Sequence, residues 1–282
     1  MNKLLCAAFI ALILPLGLIQ EAKPSVVVKK PYVFVKESPN SKNLKKLRRL
    51  YGYDKQVQKG KTEFDRMVIL KNWVYQNLRY SFKTKYPVLK NSLRIMQLRK
   101  KNKFMCASYA ALYMQCGQSM GWDVRYIYLR SPNNDQHVAT DVWSDVYRKW
   151  IYIDTTWNLH VLENGVPLSL PEIRNRWLAN QTDAMVFVFG AGKNEKRFTA
   201  KNFPYRRKDS ELWKKRPVDE KWLAYLYQPA IVGRNDFFSC NEKQIFTRLY
   251  IIKDDNNIDD KNWQFRNKTQ IQEEILFGDP LK

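Results

Sequence analysis

The sequence has 282 residues, a length that fits one substantial domain with appendages or two small ones. Hydrophobic residues make up 45% and aromatic residues 14% of the chain, enough to fill a globular core and to exclude a wholly disordered protein. The formal net charge of +22 indicates attraction to polyanions.

The first 22 residues have the composition of an export signal. Lys3 supplies a positive start, and the stretch 4–19 is apolar apart from Pro15 and Gly17. This run is too short and too interrupted for a membrane span, which needs about 20 apolar residues. We therefore expect cleavage after Ala22 and an exported protein, whether periplasmic, at the cell surface or secreted. A retained N-terminal anchor is the alternative.

The positive charge is concentrated in the first third of the chain. Residues 23–105 hold 23 Lys and Arg against 4 Asp and Glu, whereas residues 106–282 hold 25 against 22. Such a region would attract anionic cell-surface polymers or lipid headgroups, although a merely solvated basic surface is also compatible with it. No nucleic acid is expected as a partner, because the basic residues match no recognisable nucleic-acid motif and an export signal points away from DNA.

The next segments are predicted in chain order. Residues 23–62 indicate a basic linker or N-terminal extension with one short helix near Asn43 to Leu50. Apolar residues at spacings of three and four predict a helix over 63–80, and a weaker one follows over 93–100. Good helix formers predict a further helix from Cys106 to Met120, with Gly121 at its C-terminal stop.

Three strands are predicted after that helix, over 123–129, 137–143 and 149–154. The second and third are expected to form a hairpin. A turn centred near Asp145 and Val146 would place His137 directly opposite Asp154, and a shift of one or two pairs would leave them diagonal neighbours. A helix near 171–179 and a strand over 185–189 come next. Residues 191–282 are predicted to be a C-terminal extension or a small β subdomain.

Cys106 stands at the predicted start of a helix, where free backbone N–H groups, the helix dipole and nearby lysines favour a thiolate. The chain has only two histidines, so few residues could deprotonate this thiol. A thiol, a base and an orienting carboxylate, here Cys106, His137 and Asp154, are the minimum for covalent acyl transfer. No Cys-x-x-Cys occurs, so neither a zinc site nor any other metal or cofactor is predicted.

The order of these motifs resembles the transglutaminase-like superfamily over about residues 63–180. The resemblance rests on Trp-Val-Tyr-Gln-Asn-Leu-Arg-Tyr (73–80), the cysteine at a helix start, the histidine-led strand and Trp-Ile-Tyr-Ile-Asp (150–154). It implies an α+β, papain-like fold in which a cysteine-bearing helix packs on an antiparallel sheet. It further implies Cys106 as nucleophile, His137 as base and Asp154 as orienting carboxylate. At the histidine, His-Val-Ala stands where the family often has His-Ala-Trp.

Four further residues are candidates for the substrate cleft. Family position implies Gln76 and Tyr80, either of which could also assist an oxyanion. Trp143 is a candidate for the cleft wall. His160 follows Asp154 in a predicted loop and is a candidate cleft residue, with replacement of His137 as base as a second possibility.

These features predict an exported cysteine-dependent amide-bond enzyme acting on a protein or peptide through an acyl-enzyme at Cys106. Hydrolysis by a peptidase or amidase is favoured over protein crosslinking, because no second cleft for a lysine donor is evident. The alternative is a non-catalytic transglutaminase-like scaffold that binds anionic surface polymers through its basic first third. The predicted organisation is a signal peptide (1–22), a basic linker or N-terminal extension (23–62), a transglutaminase-like domain (63–190) and a C-terminal extension or small β subdomain (191–282).

Overall fold

A computed structural model describes residues 34–85, 90–131, 135–202, 226, 228–232, 234–240, 249–252 and 268–271. The predicted export signal and the first part of the predicted linker lie outside these residues. Among the helices described, none is long and apolar enough to cross a membrane.

The described residues form six α-helices, several of which have recognisable caps. Thr62 and Asp65 form a capping box at the start of α3, Ser169 and Glu172 form another at the start of α6, and Gly52 closes α1 with a φ of 56°. The helices are α1 (Lys42–Tyr51), α2 (Asp54–Val57), α3 (Glu63–Asn77), α4 (Ser92–Leu98), α5 (Cys106–Ser119) and α6 (Leu170–Leu178).

The strands form one large sheet, a smaller sheet and a two-stranded pair. The large sheet has the order β12-β11-β9-β2-β3-β4 and is antiparallel except for the parallel β11 and β12. The smaller antiparallel sheet has the order β6-β5-β7-β8, and β1 pairs with β10. The strands are β1 (Val35–Lys36), β2 (Val124–Arg130), β3 (Gln136–Ser144), β4 (Lys149–Ile153), β5 (Leu159–Glu163), β6 (Val166–Pro167), β7 (Met185–Phe189), β8 (Lys196–Thr199), β9 (Gln228–Val232), β10 (Arg234–Asn235), β11 (Leu249–Ile252) and β12 (Lys268–Ile271).

Side-chain alternation gives the large sheet two buried faces. One face packs on the helices through residues such as Tyr126, Val138 and Ile153, while the other packs on the smaller sheet through residues such as Ile127 and Tyr152. This confirms the predicted α+β class, with the cysteine-bearing helix packed on an antiparallel sheet. Strands from the C-terminal part complete the same sheet, because β9 pairs directly with β2.

Helix α5 is buried along its whole length, so its position is fixed on every side. The helix approaches β2 closely at Gly117, where an added Cβ would lie 2.6 Å from a Val124 methyl carbon. Glycine at this position permits the contact between helix and sheet that aligns the start of α5 with the ends of β3 and β4.

The hairpin of β3 and β4 has a register one pair away from the centred prediction. Ser144 pairs with Lys149 and Thr140 with Ile153, so four residues form the turn. His137 and Asp154 are consequently diagonal neighbours, the arrangement predicted for a shifted register. The carboxylate of Glu63 accepts hydrogen bonds from the Ser144 hydroxyl and from the backbone N–H groups of 145 and 146, which fixes this turn.

A buried ion pair joins β2 and β3. Arg125 Nη2 donates to Asp141 Oδ2 at 3.0 Å, both side chains are fully buried, and the guanidinium carbon lies 3.9 Å from the centre of the Trp150 ring. Burial raises the pKa of Asp141 to about 6 even though the positive charge of Arg125 opposes the shift. Loss of the arginine alone would therefore leave a carboxyl group buried without its main partner.

We expect Arg125→Met to lower the free energy of unfolding by about 3–5 kcal/mol, because it strands Asp141 in the core. The double variant Arg125→Met/Asp141→Leu should recover most of that loss, since neither buried charge remains. Urea denaturation of the wild type, the single variant and the double variant measures both effects. A double variant as unstable as the single one would contradict this account.

Candidate active site

Cys106 is the first residue of α5 and is 8% exposed. Met105 precedes it without a side-chain cap, and the first turn contains no acidic residue. The Ser108 N–H donates to the Met105 carbonyl at 3.0 Å, while the N–H groups of Cys106 and Ala107, the first two of the helix, have no acceptors within it. These two groups and the positive end of the helix dipole favour an anion here. The location therefore suits a thiolate and, later, a developing oxyanion.

His137 is the second residue of β3 and is buried, with 4% of its surface exposed. Its Nε2 lies 2.7 Å from Asp154 Oδ2, and its ring also has a side-chain hydrogen-bond interaction with Cys106. Because Asp154 occupies Nε2, Nδ1 is the nitrogen left to face the thiol. The structure thus brings together the three residues predicted to form the triad.

Asp154 is fully buried immediately after β4, and four donors surround its carboxylate. The backbone N–H groups of Thr156 and Trp157 donate to Oδ1 at 3.0 and 3.2 Å. His137 and the Tyr152 hydroxyl, at 3.3 Å, share Oδ2. Held from both sides in this way, the carboxylate has a fixed orientation and in turn fixes the imidazole.

The electrostatics of the site favour a protonated His137. Burial alone would lower the pKa of His137, but the charge and hydrogen bond of Asp154, assisted by Cys106, outweigh burial and raise the pKa to about 10. The favoured state at neutral pH is thus an imidazolium between a carboxylate and the cysteine. Such an imidazolium can stabilise a thiolate and later donate a proton to a leaving amine.

The ring of Trp157 lies beside the ring of His137. Its ring centre lies 6.0 Å from that of His137, and Tyr80 lies 6.3 Å beyond Trp157. Trp157 lies three residues after Asp154 in the sequence, and its ring lies beside that of the histidine. The rings of Tyr80, Trp157 and His137 thus follow one another, with Trp157 in the middle.

His160 is paired with a buried lysine. Lys71 Nζ lies 3.0 Å from His160 Nδ1 and donates to the carbonyl oxygens of Asn158 and Gly190 at 2.9 and 3.0 Å. Burial lowers the pKa of Lys71 to about 7, against the charges of Glu195 and Asp154, while burial and the Lys71 charge hold the pKa of His160 well below its usual range. His160 is therefore a neutral acceptor.

The remaining predicted cleft residues lie further away. Trp143 is six residues beyond His137 on β3, about 20 Å along the strand, where it contacts Trp150 and donates to Asp145. The strand geometry therefore does not bring Trp143 to the histidine. Gln76 is exposed on the last turn of α3.

Two residues around the site, Tyr152 and Lys71, were not singled out in the sequence, and Trp157 was expected only as a core or cleft-wall residue. Trp157 and Tyr152 flank Asp154 closely in sequence, and the tyrosine shares the aspartate's strand face, a signal that the period of two provides. Lys71 carried no such signal, because a lysine on a helix is ordinarily exposed. Among the described residues, no group of three or more His, Cys, Asp or Glu side chains could hold a metal ion.

Because the chain has only two histidines, NMR of histidine labelled with ¹⁵N can follow each ring separately. We expect His137 to stay protonated through neutral pH and to lose its proton near pH 10. In Asp154→Asn the burial penalty remains without the opposing charge, so the pKa should fall below the ordinary value of about 6.5. His160→Gln assigns the signals. Titration of His137 near 6.5 in both proteins would contradict the proposed coupling.

The same shift sets the pH dependence of stability. Since the folded pKa of His137 lies above its unfolded value, the pair stabilises the fold fully below about pH 6.5, and this contribution is lost as the pH rises towards 10.

Residues 52–155 match the family model described as the transglutaminase-like superfamily. This segment contains Cys106, His137 and Asp154. No functionally curated protein matches the sequence.

Two solved structures show a partial likeness. One is a protein from Cytophaga hutchinsonii that is proposed to be a cysteine protease; it is 16% identical to this chain, with a TM-score of 0.35. The match covers 66% of this chain and 60% of the Cytophaga protein. The other, described as a TGase, is 16% identical, covers 40% of this chain and 32% of its own, and has a TM-score of 0.31. The chain thus spans less than two thirds of either protein. Residues 52–155, which carry Cys106, His137 and Asp154, are thus similar to the transglutaminase-like superfamily.

Proposed function

We propose that this chain is an exported cysteine-dependent enzyme that cleaves amide bonds in a protein or peptide substrate. The observation that carries the proposal is the connected arrangement of Cys106, His137 and Asp154 at the start of a helix, with Nε2 of the histidine 2.7 Å from the aspartate. A buried cysteine with a purely structural role needs neither a charged imidazole beside it nor a carboxylate held by four donors. Export is inferred from the composition of residues 1–22.

The geometry supports a two-stage reaction. The Cys106 thiolate attacks the amide carbon, and the negative charge that develops on oxygen is stabilised by N–H groups of the first turn of α5. When the C–N bond breaks, the His137 imidazolium gives its proton to the leaving amine, and a thioester to Cys106 remains. In the second stage neutral His137 takes a proton from water, which attacks the thioester and releases the acid and the thiol.

Asp154 orients His137 throughout both stages. Its carboxylate stabilises the imidazolium and holds Nε2, which leaves Nδ1 directed to the thiol. Hydrolysis and transamidation differ only in whether water or an amine attacks the thioester. We favour hydrolysis for this chain, as the sequence offers no evident second cleft for an amine donor.

Thiol reactivity provides a first test that needs no substrate. At neutral pH we expect iodoacetamide to modify Cys106 faster than Cys240 or Cys116. Burial raises the pKa of the Cys240 thiol to about 11, with Asp236 adding to the shift, and burial raises the pKa of Cys116 further still. Site-resolved mass spectrometry gives the three rates. His137→Ala should slow only the Cys106 reaction, and equal rates in both proteins would count against an activated thiolate.

Activity is tested by digesting a peptide library with the exported form of the protein and with Cys106→Ala. We expect the alanine variant to lose at least about 10³-fold in rate, because removing a nucleophile leaves only binding and oxyanion contributions. Dansylcadaverine added to the wild type separates the two outcomes: cleaved peptides indicate hydrolysis, and labelled peptides indicate transamidation. Unchanged turnover in Cys106→Ala would refute the proposal. If cleavage, labelling and thiol activation are all absent, the alternative of a binding scaffold is favoured.

A further inference from the structure

The segment before Cys106 pairs with the segment after α3 to form a basic rim, defined as residues 79–85 and 99–105. Phe104 N–H donates to the Arg79 carbonyl at 2.8 Å, and Ser81 N–H donates to the Phe104 carbonyl at 3.0 Å. Two further bonds, from Arg79 to the Lys100 carbonyl and from Thr84 to the Lys103 carbonyl, join the same segments. The two segments are thus held side by side next to the nucleophile.

The rim carries positive charge without acidic residues. Its two segments contain seven Lys and Arg and no Asp or Glu. The side chains of Arg79, Lys83, Lys101 and Lys103 are exposed. Lys103 precedes Cys106 by three residues, so their Cα atoms are at most about 10 Å apart. The backbone that carries these charges is therefore close to Cys106, so their field reaches an ion that approaches the thiol.

The position of these positive charges is electrostatically unfavourable when no anion is bound to the protein. Lys100, Lys101 and Lys103 directly precede the N-terminus of α5, where the helix dipole favours negative groups. The first turn offers no acidic side chain in compensation. Like charges along the two paired segments also repel one another. An anion bound at the rim would relieve both effects.

Aromatic rings lead from the rim to the catalytic histidine. Phe82 is 52% exposed, and its ring packs edge-on against Tyr80 at 5.0 Å. Tyr80 lies 6.3 Å from Trp157, which lies 6.0 Å from His137. A substrate chain reaching Cys106 across the rim would therefore meet an apolar surface bordered by cations.

We propose that the basic rim selects acidic peptides, in which Asp or Glu side chains flank the scissile amide and an apolar side chain packs on Phe82 and Tyr80. This inference rests on the proposed function and adds a substrate class to it. Carboxylates suit the site because those of an extended substrate chain can pair with several separate lysines. The apolar side chain between the carboxylates would then pack on the aromatic rings.

A pair of alkylating reagents measures the field at Cys106 without any substrate. Iodoacetate is anionic and iodoacetamide is neutral, so the ratio of their rates reports the local potential. We expect Lys101→Gln/Lys103→Gln to slow the iodoacetate reaction about three- to fivefold at low salt and to slow the iodoacetamide reaction much less, because the buried His137 supplies most of the stabilisation of the thiolate. The substitutions spare the backbone bonds of the rim.

A matched control removes the same charge elsewhere. Lys59 and Lys61 are exposed just before the start of α3, about 20 Å along that helix from Arg79. Lys59→Gln/Lys61→Gln should leave both rates unchanged. Equal slowing of iodoacetate by the two double variants would overturn the proposal, because the effect would then follow net charge and not the rim.

The second experiment measures peptide binding. It uses Cys106→Ala in place of the wild type so that no turnover occurs. A fluorescent Glu-rich peptide with a central Phe should bind more tightly than the same peptide with Gln for Glu. The rim variant, made on Cys106→Ala, should lose most of that difference. Polyphosphate that competes as well as the peptide would overturn selection for peptides. Equal binding of the Glu and Gln peptides would overturn the role of charge.

The alkylation rates and the peptide binding together distinguish failure of this inference from failure of the proposed function. A Cys106 that reacts with neither reagent faster than an ordinary thiol refutes the activated nucleophile, while the peptide comparison still decides the rim. A reactive Cys106 with no difference between the two peptides refutes the rim alone.

Discussion

The site depends on one buried carboxylate. Asp154 is fully buried, yet four donors reach it: the His137 ring, the Tyr152 hydroxyl and two backbone N–H groups. Burying a carboxylate without hydrogen-bond donors would cost much free energy. The folded position of Asp154 therefore depends on these four donors. The orientation of His137 and the course of the loop after β4 therefore follow from the same charge. Trp157 reaches the side of the histidine because its own N–H is held by Asp154.

Helix α3 holds both ends of the hairpin that carries this carboxylate. At its start, Glu63 binds the turn between β3 and β4. Eight residues later, about 12 Å along the helix, Lys71 and Asn72 bind Asn158 in the loop that follows Asp154. Asn158 has a φ of 55°, a conformation that favours Asn and Gly. Since both anchors belong to one rigid helix, the hairpin cannot shift register without losing one of them.

The elements around the triad could be predicted from sequence because local patterns determine them. The spacing of apolar residues predicted α3, and good helix formers predicted α5, each to within a few residues. Segments rich in Val, Ile, Tyr and Trp predicted β2, β3 and β4. The register of the hairpin was not determined locally, since it depends on how Glu63, some 80 residues earlier, binds the turn. The same holds for Trp143, a candidate for the cleft wall, because the rise along β3 carries it to the other end of that strand from His137.

Long-range pairing also limited what could be predicted for the ends of the chain. The sequence near Lys36 and near Arg234 has no pattern that predicts their pairing, yet β1 pairs with β10. In the same way β9 joins β2 only because the apolar residues at 230 and 232 complete the core below α5. Such contacts depend on total buried apolar area more than on any motif, and a single sequence does not reveal them.

Two electrostatic ranges operate at Cys106. The imidazolium of His137 and the N–H groups of α5 act at contact distance within a buried site, where salt screens little. The lysines of the basic rim are exposed, so salt with a screening length of about 8 Å at physiological ionic strength weakens their effect. Under the proposed function, stabilisation of the thiolate should therefore depend mainly on the buried groups, and discrimination between charged and neutral substrates on the exposed lysines. Added salt should then weaken the discrimination more than the stabilisation of the thiolate.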